Sequence, residues 1–127
     1  MAKNNRVFIA FAIEDKTYRD FLVGQAKNDR SPFEFIDMSV KEPWDSGWKE
    51  KVRTRIRGCD GVIALLSVNT YNATGARFEI KVARDEGIPL VAMRVKSDQW
   101  VATPTELVGV TTMNWSWPDI AAFLKGL

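Results

Sequence analysis

The chain has 127 residues, 46% of them hydrophobic, with a formal net charge of +2 and 27% charged residues. That is the size of one domain with enough apolar material for a full core, without metal or disulfide staples. A balance so near neutral gives no drive toward nucleic acid or a membrane surface, and no apolar run is long enough to span a bilayer. The single cysteine, Cys59, rules out an internal disulfide and fits a reducing cytoplasm. The N-terminal MAKNNR has no apolar signal core. There is no histidine, which removes Ser-His-Asp and Cys-His catalysis and argues against zinc. No metal and no bound cofactor are expected. Any chemistry falls to carboxylates, hydroxyls, amides, backbone dipoles and Lys or Arg.

Taken in order, RVFIAF (6–11) reads as a first strand, rich in β-branched and aromatic residues. Tyr18, Phe21, Leu22, Gln25 and Ala26 repeat at helical spacing, so 16–27 reads as a helix, with Glu14 and Asp15 offering its start. The Asn28–Pro32 segment breaks it, and FEFIDM (33–38) is the second strand. A loop with Pro43 and Trp44 leads to a helix over 48–58. Trp44, Trp48, Val52 and Ile56, four residues apart, mark its buried stripe. Its five cations, Lys49, Lys51, Arg53, Arg55 and Arg57, read as a solvated face, with phosphate binding as the alternative.

The apolar run from Gly61 to Val68 suits a strand buried on both faces. A turn-prone loop, Asn69 to Gly75, leads into a helix with Glu79 in its second turn, and Gly87 is placed to end that helix. Pro89 to Val95 is a fourth strand, and a polar loop, 96–109, holds Trp100 and Pro104. A short fifth strand covers 110–115. Ser116-Trp117-Pro118-Asp119 resembles a capping box with proline in the first turn of a last helix.

Strands and helices thus alternate through one domain, 1–127. The expected fold is a flavodoxin-like, doubly wound, five-stranded parallel sheet in the order 2-1-3-4-5, with helices on both faces. Such sheets bind ligands outside the C-terminal ends of their strands, which singles out Glu79. Its plain alternative is an ordinary glutamate near a helix N-terminus, favoured by the helix dipole. Cys59 falls at the opposite end of the sheet and reads as a buried thiol. Neither G-x-G-x-x-G nor G-x-x-x-x-G-K is present.

FIAF, SPFEFIDMSVKEPWDSGWKEKVRTRIRGCDGVIALLS and the passage EIKVARDEGIPL together resemble the small TIR-like proteins of prokaryotes. These include the TIR-like component of the Thoeris anti-phage defence system. The resemblance runs from Val7 to the C-terminal helix and agrees with the architecture above. It implies an NAD glycohydrolase, with NAD as substrate and not as a cofactor. It also implies cyclisation of the product to a cyclic ADP-ribose isomer, a messenger acting on a separate effector protein. Self-association into a dimer or larger assembly belongs to the same implication. The family's catalytic glutamate lies on the helix after the third strand, and Glu79 is the matching position. A tryptophan common shortly before that glutamate is absent here, where Arg77-Phe78 stands instead.

One carboxylate can support this reaction. Cleavage of a glycosidic bond builds oxocarbenium-like charge on the sugar, and cationic nicotinamide leaves neutral without a general acid. Strand ends supply the remaining candidates. Phe11 and Ala12 end the first strand, with Phe11 either against a ring of the substrate or in the core. Asp37 and Ser39 end the second and could bind ribose hydroxyls, or Asp37 could cap its loop. Ser67, Asn69 and Thr70 follow the third, within reach of phosphate or sugar. Trp44 and Trp48 could stack on a ring, but their spacing favours core packing, and Lys41 could meet phosphate or stay solvated. Two other functions fit: a non-catalytic TIR-type interaction module, and an enzyme like the nucleoside deoxyribosyltransferases. A two-component receiver does not fit, because Leu66-Ser67 stands where its aspartate is expected.

Overall fold

The computed structural model describes residues 5–28, 33–36 and 47–127, with 5 and 33–36 described through the backbone. The elements are β1 (Asn5–Ala10), α1 (Lys16–Asn28), β2 (Phe33–Ile36), α2 (Trp48–Arg57), β3 (Gly61–Leu66), α3 (Thr74–Asp85), β4 (Leu90–Arg94), β5 (Thr112–Asn114) and α4 (Trp117–Lys125). Short 3-10 turns stand at Ile13–Asp15, Thr70–Asn72 and Thr105–Leu107. Every strand pairing is parallel, and the sheet runs β2-β1-β3-β4-β5. It is an α/β fold with helices on both faces of a parallel sheet.

The pleat explains how the apolar runs are used. Side chains alternate between faces, so a strand covered on both sides is apolar throughout. All six residues of β3 are buried. Val7, Ile9, Ile63, Leu65, Val91 and Met93 point to one face, where Leu22 of α1 and Ile120 and Leu124 of α4 cover them. Phe8, Ala10, Val62, Ala64, Leu66 and Ala92 point to the other, under Val52 and Ile56 of α2 and Ile80 and Ala83 of α3. The register sets Ala10, Ala64 and Ala92 side by side across β1, β3 and β4. A row of methyl groups beneath α3, which packs against these three strands, lets that helix come close to the sheet.

Trp48, Val52 and Ile56 are buried as their spacing predicts, and Trp48 meets Phe78 edge-on with ring centroids 5.2 Å apart. The cationic side of α2 is partly paired: Glu86 receives Arg57 at 3.0 Å and Arg53 at 3.8 Å. Cys59 is buried, and its thiol donates to the Arg55 carbonyl at 3.2 Å. Two local expectations are modified. The segment at Glu14 and Asp15 forms a 3-10 turn ahead of α1. Ser116 is the N-cap of α4, but its hydroxyl makes no capping hydrogen bond.

The end of α3 shows why glycine stands at 87. The amide of Ile88 reaches the Ala83 carbonyl at 2.9 Å and that of Gly87 reaches Arg84 at 3.1 Å, the pairing of a Schellman motif. That motif needs a left-handed residue, and Gly87 has φ of +67° with open space where a Cβ would stand. Gly87→Ala is therefore expected to lose about 1 kcal/mol through backbone strain alone, measured by denaturant unfolding. Gly87→Asn is expected to lose less.

Candidate active site at the sheet rim

In the observed strand order the chain leaves β1 toward β2 on one side and returns to β3 on the other. The C-terminal ends of β1 and β3 therefore form the topological switch point, where open α/β sheets hold their ligands. A buried polar network occupies this position. Asp15, from the turn after β1, is 1% exposed; Ser67 and Thr70, from the loop after β3, are equally enclosed. The Ser67 hydroxyl donates to Asp15 Oδ2 at 2.5 Å, and Asn69 Nδ2 donates to Asp15 Oδ1 at 2.9 Å. Ser67 Oγ also accepts the Asn69 amide at 3.0 Å. Thr70 Oγ1 accepts the Ser67 amide at 2.9 Å and donates to the Leu65 carbonyl at 3.1 Å. Buried polar groups are tolerable when satisfied in this way, and a satisfied network fixes the loop in one conformation.

The same loop delivers the chain into α3. Ala76, Ile80, Val82 and Ala83 are buried along that helix, and Glu79 is buried with them at 1% exposure. A carboxylate enclosed within an apolar helix face is expensive in water-free surroundings, so it marks a candidate functional position.

Of the residues expected around Glu79, Ser67 and Asn69 sit in this network, with their donor groups turned to Asp15. Ala12 is buried beside it, and its carbonyl accepts the Asp15 amide at 2.8 Å. Phe11 is buried on the other face of the sheet, among the side chains under α1 and α4, with the Arg19 guanidinium 5.6 Å above its ring. The structure does not bring that ring to the α3 side. Trp48 packs in the core, as above. Asp37, Ser39, Lys41 and Trp44 lie outside the described residues.

Asp15 was legible only as a helix start, since nothing in its neighbours signals burial. A rim concavity of about 320 Å³ beyond β3 and β4 also went unforeseen. Leu66, Arg94, Asp98, Gln99 and Trp100 help to line it, and Trp100 is among the most exposed apolar side chains. Among the described residues no cluster of His, Cys, Asp or Glu could hold a metal ion, and no helix is long and apolar enough to cross a membrane.

The loop after β4 is pinned to α3 by ionic contacts. Arg77 Nε meets Glu106 Oε1 at 2.8 Å, and Arg84 donates to the carbonyls of Glu106 and Val108 at 3.0 and 2.7 Å. Burial opposes the charge on Glu106, but the hydrogen bond and charge of Arg77, with Lys81 nearby, outweigh it and hold its pKa below the ordinary value. A lowered folded pKa gives stability that is present above the unfolded value and lost as the pH falls through the folded one. Glu106→Gln is expected to remove that acid-range loss while costing up to about 1 kcal/mol at neutral pH, read from unfolding curves across the two ranges.

The architecture is that of a TIR-like domain. The TIR domain of the Toll-related receptor TRR-2 from Hydra magnipapillata superposes with a TM-score of 0.74 at 13% identity, covering 94% of this chain and 97% of that one. The SEFIR domain of the interleukin-17 receptor B gives 0.65 at 11% identity, with 98% of each chain covered. A prokaryotic SEFIR domain gives 0.55 at 12% identity, covering 97% of this chain and 89% of that one. At these identities the likeness is one of fold. The family described as Thoeris protein ThsB, TIR-like domain, matches residues 8–100, well over half of the chain, and the chain belongs to that family. No curated protein matches the sequence.

Proposed function

We propose that this protein cleaves NAD at the bond between nicotinamide and ribose and cyclises the product to a cyclic ADP-ribose isomer. Glu79 is the carboxylate that stabilises the sugar cation. The observation that carries the reading is its burial at 1% exposure, on the helix entered from the switch-point loop. Membership of the Thoeris TIR-like family supports it.

In the reaction the C–N bond breaks with its electron pair going to nicotinamide, which leaves neutral. The ribosyl cation is then captured by a nucleophile from the adenosine half of the same molecule, which gives up a proton, or by water if the product is linear. A charge held in a water-excluded site stabilises the cation more than it would in bulk solvent. A carboxylate this enclosed meets the substrate only after its surroundings open, which fits activation by self-association. The cyclic product would act on a separate effector protein, and both would work in the cytoplasm.

The test is to incubate the protein with NAD, in dilute solution and under conditions that promote assembly, and to separate the products by chromatography and mass spectrometry. Nicotinamide with cyclic ADP-ribose is the expected outcome. Linear ADP-ribose alone would correct the second half of the reading, and no nicotinamide under either condition would overturn it. The burial of Glu79 also favours one competing reading, a non-catalytic interaction module. That reading predicts that anti-phage protection survives Glu79→Gln and is lost on substitution of exposed residues of α2.

A further inference from the structure

We propose that Asn69 is the residue that selects the sugar of the substrate, and that Asp15 is the positioning residue that aims it. The proposal rests on the NAD reading above and extends it to two residues of the switch-point loop.

The inference comes from hydrogen-bond bookkeeping. An asparagine side chain has a nitrogen that donates through two hydrogens and an oxygen that accepts. The neighbour at 2.9 Å is an oxygen of Asp15, and a carboxylate accepts and does not donate, so the nitrogen must face inward. The oxygen, Oδ1, is thereby turned away from the network, and no described residue donates to it. Asn69 is half-buried, whereas Asp15 and Ser67 beneath it are enclosed. Val68, just before it, and Tyr71, two residues on past the buried Thr70, are 54% and 45% exposed, so this loop has an outer side that faces solvent.

Three further bonds keep the amide in this orientation. The backbone of Asn69 is tied to Ser67 Oγ, Ser67 Oγ is tied to the second oxygen of Asp15, and Thr70 ties the loop to the end of β3. The result is a fixed acceptor at the ligand-binding position of the sheet. A fixed acceptor selects a ligand that donates, and the neutral donors of a dinucleotide beside its reacting bond are the ribose hydroxyls. A phosphate has no proton to offer at neutral pH, so Oδ1 would repel it. Of phosphate and sugar, the two ligands expected at Asn69, the acceptor Oδ1 therefore selects sugar, whose hydroxyls can also accept from the second N–H of Nδ2.

The experiment pairs residue and substrate. Nicotinamide release is measured for wild type and Asn69→Ala on NAD and on NAD analogues lacking the 2′- or the 3′-hydroxyl of the nicotinamide ribose. Asn69→Ala is expected to lower kcat/KM for NAD by about 10-fold, the worth of one hydrogen bond in an enclosed site, and to make no difference on one of the two analogues. Asp15→Asn is expected to reproduce the loss, because an amide there no longer dictates which end of Asn69 faces inward. The double variant is expected to be no worse than either single one. Equal losses on all three substrates, or additive losses in the double variant, would overturn the proposal.

Melting curves check that each variant folds, and a second measurement does not need turnover. ADP-ribose binding is followed by calorimetry for wild type, Asn69→Ala and Asp15→Asn. If no nicotinamide is released, NAD cleavage falls while the binding result still decides this proposal. Weaker ADP-ribose binding by both variants upholds it; unchanged binding, or none by the wild type, overturns it.

Discussion

Glu79→Gln is expected to lower nicotinamide release from NAD by about 100- to 1,000-fold while leaving the protein folded. The magnitude follows from the removal of one preorganised charge at a centre where charge develops, typically about 3–4 kcal/mol of barrier. Glutamine is chosen because it keeps the volume and the planar end group, so the buried face of α3 stays filled. Glu79 is not without a partner in the fold; glutamine lowers the desolvation penalty but weakens that interaction, so the melting temperature is expected to stay close to the wild-type value. A rate loss together with retained stability separates a functional carboxylate from a structural one. A large drop in melting temperature would instead mean that the charge holds the fold together.

That separation matters because the carboxylate was readable before its setting was. Periodicity places Glu79 beside the stripe formed by Ala76, Ile80 and Ala83, and the structure buries all four. The central strand was equally plain, since GVIALL is apolar at every position and all of it is buried. The strands around it begin and end within two or three residues of their expected limits wherever they are described, because glycine, proline and asparagine punctuate the chain there.

What was hidden is the polar work of the loops. Asp15 looks like any acidic residue ahead of a helix, and only the meeting of the β1 and β3 ends gives it Ser67, 52 residues further along the chain, as a partner. Phe11 was ambiguous for a similar reason. Strand alternation assigns it to the same side as Val7 and Ile9, but which helix covers that side is a matter of tertiary packing. The failed cap at Ser116 is local: its identity and position suit an N-cap, yet its hydroxyl makes no capping bond.

The central strand also governs the second large effect, on stability. Ile63 is fully buried in the middle of β3, opposite Ile9 of β1 on one side and Val91 of β4 on the other. Leu22, Ile120 and Leu124 belong to the same core cluster, so α1 and α4 both rest on this region. Ile63→Ala removes three carbons from a site that neighbours on two strands and two helices prevent from collapsing. The expected loss is about 3–4 kcal/mol, the upper part of the range for large-to-small core substitutions. For a chain of this length that corresponds to a fall in melting temperature on the order of 10 °C. Ile63→Val, which removes one methyl and keeps the β-branch, is expected to lose only about 1 kcal/mol. Because Leu66 ends the strand and Ser67 begins the switch-point loop, Ile63→Ala should lower activity only through the fraction unfolded. Its rate per folded molecule, measured well below the melting transition, should match the wild type. A lower rate per folded molecule would show instead that the core of β3 sets the geometry of the rim.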